Sequence, residues 1–77
     1  MEGLAKRIAK FMWGEDTYHA KDSYDSIEEL ITEITKMMYL KAYRIAVASS
    51  LKSIIEFHED DETASEASLL YREVVEM

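Results

Sequence analysis

An all-α fold is predicted from three observations: the chain has no proline, its two glycines fall at positions 3 and 14, and apolar residues keep helical spacing through the 33 residues from Ser26 to His58. Ile27, Leu30, Ile31, Ile34, Met38 and Ile45 follow the i, i+3, i+4, i+7 pattern of a buried helical face. The reading is a short helical bundle of three segments, about 2–13, 27–57 and 64–75, in one domain spanning residues 1–77. A middle helix of that length would be about 50 Å long, whereas a compact chain of this size has a radius of gyration of roughly 11–12 Å. The middle segment must therefore kink or break, or project and have its apolar face covered by another chain.

The first segment carries an apolar stripe of Leu4, Ile8, Phe11 and Met12, and Gly14 is placed to end it as a left-handed C-cap. Residues 15–25 read as a connection with a helical turn around Thr17–Lys21. Ser26 followed by Glu29 has capping-box spacing, so a helix is expected to begin at Ile27. The acidic run from Glu59 to Glu62 reads as an interhelix turn. Thr63 and Glu66 form a second capping box ahead of a helix that buries Ala67, Leu70, Tyr71 and Val74.

The apolar stripe of the middle segment does not stay in one place. At about 100° per residue, Ile27 through Ile45 cluster near one direction, while Val47, Leu51, Ile54 and Ile55 lie over 100° away. A bend or break is expected between Tyr39 and Ser50. Ala42, Ala46, Ser49, Ser50 and Ser53 form a third stripe of small side chains, which permits close approach of another helix, and Ile45 with Ala46 is expected at a crowded crossing. The apolar residues around this helix exceed what two short flanking helices can shield. The bundle is therefore expected to be completed by self-association through Ile34, Met38, Ala42, Ile45, Ala46, Ser49 and Ser50.

The net charge of −7 is distributed in blocks: +2 over residues 1–14, −6 over 15–35, +4 over 36–53 and −7 over 54–77. Two charge-complementary hairpins follow, with Lys6 and Lys10 near Glu28, Glu29 and Glu33, and with Lys52 and Arg44 near Glu66, Glu73 and Glu76. The +4 block also sets cations among aromatics, making Lys36, Tyr39, Lys41, Tyr43 and Arg44 a candidate partner-binding set. Nucleic acid is disfavoured there because the flanking blocks are rich in carboxylates that repel phosphate. The basic, apolar first segment ending in Trp13 could lie on an anionic membrane or in a groove, but at under four turns it would anchor weakly, and packing in the core is expected instead.

Catalytic signatures are lacking. With no cysteine there is neither a disulfide framework nor a thiolate site. His19 and His58 lie near Glu15 and Glu56 but make no Glu-x-x-His pattern, and no phosphate loop or nucleophile elbow is present. No enzyme activity, metal or cofactor is expected; weak metal-dependent activity is the third reading. The lack of an apolar run of membrane-spanning length or a secretory core points to a cytoplasmic protein. Asparagine and glutamine are absent, a bias associated with thermophily, although five methionines argue the other way. The function expected is a small acidic interaction and assembly module that pairs with itself, with an acidic inhibitor or adaptor of a basic, nucleic-acid-handling protein as the alternative.

Overall fold

In a computed structural model, which describes residues 2–14, 20–57 and 60–77, the described residues form five helices. They are α1 (Glu2–Trp13), α2 (Ala20–Ser23), α3 (Ile27–Met37), α4 (Lys41–Phe57) and α5 (Asp61–Val75). No strand occurs among the described residues. The radius of gyration is 11.4 Å. The length conflict is resolved by a break: the middle segment divides into α3 and α4, the longer of which spans only about 25 Å.

The break falls at Met38–Leu40, at the N-terminal edge of the expected window, and it uses neither glycine nor proline. Met38 N–H donates to Ile34 O at 3.0 Å, and Tyr39 N–H tightens the last turn onto Lys36 O at 3.2 Å. Arg44 N–H then donates to Leu40 O at 2.9 Å, opening α4. Across this corner Arg44 Nη1 donates to Met38 O at 3.2 Å, satisfying one of the carbonyls that a helix C-terminus leaves without an intrahelical partner. The physical cause is the rotating stripe. Turning the chain at residue 39 lets Leu30 and Ile34 of α3, Met38 at its C-cap, and Val47 and Leu51 of α4 all enter one core.

That core takes Ala5, Ile8, Ala9 and Met12 from α1 and Leu70 and Val74 from α5. As the charge blocks suggested, α1 packs against α3 and α5 against α4. The ion pairs drawn for those hairpins do not form among the described residues. Instead Arg7 on α1 pairs with Glu73 on α5, tying one hairpin to the other. Apolar burial fixes the orientation of the helices, while the long lysines of α1 remain in solvent.

Local caps follow the sequence with three corrections. Ser26 caps α3 as expected, its Oγ accepting from Glu29 N–H at 3.3 Å, but the Glu29 carboxylate reaches back to Asp25 N–H at 3.0 Å rather than to Ser26. α5 begins three residues earlier than expected. Asp60 caps it, with Oδ1 accepting from Glu62 N–H at 3.3 Å and Oδ2 from the Thr63 hydroxyl at 2.7 Å. The carboxylates of Asp61 and Glu62, expected in an interhelix turn, sit instead in the first turn of α5, where the positive end of the helix dipole stabilises them. Gly14 ends α1 outside the left-handed region, so its lack of a side chain is not required there. A helical turn does occur in the first connection, at Ala20–Ser23, whereas residues 15–19 lie outside the described residues.

Candidate interaction surface

Helix α4 presents three flanks. Val47, Leu51 and Ile54 are buried. Ile45 lies roughly 160° around the helix from Val47 and is 57 % exposed, so it does not continue the stripe of α3; the corner has re-phased the chain. Ala42, Ala46 and Ser49 are exposed beside it, so the crowded intramolecular crossing expected at Ile45 and Ala46 is replaced by a free helix face. Ser50 is half-buried, and its hydroxyl donates back to Ala46 O at 3.2 Å. Of the seven residues assigned to self-association, Ile34 and Met38 are each 1 % exposed and belong to the chain's own core. They are unavailable to a partner because α1 packs over them.

At the α3–α4 corner, Tyr39, Leu40 and Tyr43 are all more than half exposed, with Lys41 exposed between them. Lys36 instead shares a shallow depression with Tyr24 and the α3 residues Glu28, Glu29 and Glu33. Arg44 is half-buried and holds the corner through Met38 O. The five residues of the candidate partner set are therefore divided between an aromatic corner, an acidic depression and a structural clamp.

The third flank of α4 faces α5 across a groove of about 370 Å³. Lys41, Arg44 and Lys52 line it together with Ala48, Tyr71 and Val75, and none of the described lining residues is acidic. Sequence reading missed the contribution of α5. The adjacent Val74 and Val75 held the signal, since neighbours on one helix cannot both face the core; Val74 is buried and Val75 is 58 % exposed.

The first helix packs in the chain's own core. Its apolar face is buried through Ile8 and Met12, and Trp13 packs against the core with Lys21 Nζ 5.9 Å from its ring centroid. No described helix is long and apolar enough to cross a membrane. Among the described residues no three histidine, aspartate or glutamate side chains converge as metal ligands, and His19 and His58 lie outside the described residues. No protein-family model, curated protein or solved structure matches the chain.

Proposed function

We propose that this chain is a small protein–protein interaction module that associates with a second copy of itself through the outer flank of α4. The observation that carries the reading is Ile45, a large aliphatic residue left in solvent with the small residues Ala42, Ala46 and Ser49 around it. Small neighbours let a second helix approach closely enough for Ile45 to be fully covered. Leu40 and Tyr43 are exposed nearer the corner, and exposed apolar area marks association surfaces. Two chains of charge −7 repel, so association through this flank draws its free energy from apolar burial.

The test is Ile45→Asp, followed by sedimentation. Ile45 makes no contribution to the chain's core, so the variant keeps its helical circular dichroism while its mass falls to that of the monomer. An unchanged mass distribution would overturn the assignment of this flank.

A further inference from the structure

The groove between α4 and α5 differs in sign from the rest of the molecule. The chain carries sixteen carboxylate residues against nine lysines and arginines, yet the described groove lining holds three cations and no acid. Neither Lys41 nor Lys52 forms an ion pair among the described residues, so their charge is not already neutralised by the fold. Between the cations the surface is mostly apolar: Ala48 from α4, Tyr71 and Val74 from α5 and Met77 beyond it, with Ile45 and Val75 at its two lips and Ser49 as the one uncharged hydroxyl of α4 in the described lining.

We propose that this groove binds an acidic amphipathic helix of a partner protein. Lys41 and Lys52 are eleven positions apart on one helix, about 16 Å and three turns, with Arg44 between them. Charges spread over that distance cannot converge on one phosphate or carboxylate. They match carboxylates repeated along an elongated ligand. An apolar floor between two helices with such a rim is suited to helix-in-groove recognition, in which an apolar stripe seats on the floor and flanking charges set orientation. A second copy presenting its own α4 flank would set like cations beside like cations, which is why the occupant is a chain of opposite sign. Nucleic acid would satisfy the cations but brings no apolar ridge to the floor. The site adjoins the outer flank proposed for self-association, and Ile45 and Ser49 border both.

The experiment uses a fluorescein-labelled synthetic helix of about 18 residues with a leucine stripe flanked by glutamates, titrated with the full chain and followed by anisotropy. Its twins carry lysine in place of glutamate, or alanine in place of leucine, and a single-stranded oligonucleotide is the fourth probe. The acidic peptide is expected to saturate the protein and to bind at least tenfold tighter than the lysine twin, the alanine twin or the oligonucleotide. A Lys41→Glu/Lys52→Glu protein, with its helical circular dichroism intact, should bind the acidic peptide at least tenfold more weakly and take up the lysine twin instead. Val75→Glu, a separate exposed site on the lip, should also weaken the acidic peptide. Equal binding of the acidic and lysine peptides, undiminished binding by the charge-reversed protein, or an oligonucleotide that binds as tightly would overturn the proposal. So would failure of the acidic peptide to bind while charge reversal changes the mass of the protein, since the groove would then be occupied by a second copy.

Discussion

Arg7 and Glu73 meet across the two helical hairpins, with Nη1 donating to Oε1 at 3.0 Å and Nη2 lying 2.8 Å from Oε2, an oxygen closed off from solvent. One hydrogen bond and one ion contact, at an Oε2 that accepts no hydrogen bond, thus join α1 to α5, elements far apart in sequence. The hydrogen bond and charge of Glu73 raise the affinity of the Arg7 guanidinium for its proton above the ordinary arginine range. A raised pKa contributes stability that is fully present below the unfolded value and lost only as pH rises through the folded one. The arginine half of the pair therefore adds no pH dependence near neutrality.

Both partners retain solvent access, so the pair is expected to add little to stability. Arg7→Ala and Glu73→Gln should each lower Tm slightly, and a double-mutant cycle should give a favourable coupling that shrinks in high salt. A coupling of zero at low salt would show that the contact does not act in solution.

Stability resides in the shared core. Leu30→Ala and Leu51→Ala remove side chains with no solvent exposure and should each cost about 2–5 kcal/mol in chemical denaturation. Leu40→Ala, on the exposed corner, should cost far less in the monomer. Equal losses at Leu40 and Leu51 would contradict the burial pattern that divides α3 from α4.

The start of α5 has its own test. Asp60→Ala removes the acceptor for Glu62 N–H and for the Thr63 hydroxyl, and should cost about 0.5–2 kcal/mol. An Asp60→Ala protein as stable as the parent would return the cap to Thr63.

Ala46→Phe separates two uses of the small-residue stripe. Because Ala46 is exposed, the added ring meets no wall within the chain, and the thermal midpoint of dilute monomer should stay unchanged. In the associated protein the ring intrudes on the contact, and dissociation should occur at higher protein concentration than in the parent. A lower midpoint in dilute monomer would mean that the ring clashes inside the fold.

The helices and their pairing were legible because they rest on local signals: period 3.6, the cap at Ser26, and alternation of charge blocks along the chain. The need for a break was also legible, from the length of the middle segment and the rotation of its stripe. The phase of α4 after the break was not. Ile45 continues the spacing of Ile34 and Met38 on an uninterrupted helix, and only the turn through Tyr39 and Leu40, which carries no breaker residue, moves it to the outside. The groove was hidden for a different reason. Its cations lie on α4, but its floor depends on how Tyr71 and Val74 approach from α5, a tertiary relation with no sequence period. Asp60 was hidden as a cap because Thr63 and Glu66 offer a competing capping box and the acidic run reads as an interhelix turn.

Self-association through apolar surface is read from the mass of the protein by light scattering at tens of micromolar, in low and in high salt. Screening weakens the repulsion between chains of charge −7 and leaves apolar burial in place. The predicted result is a dimer or higher oligomer at low salt whose mass is retained or increased at high salt. The monomer mass in both conditions would contradict it.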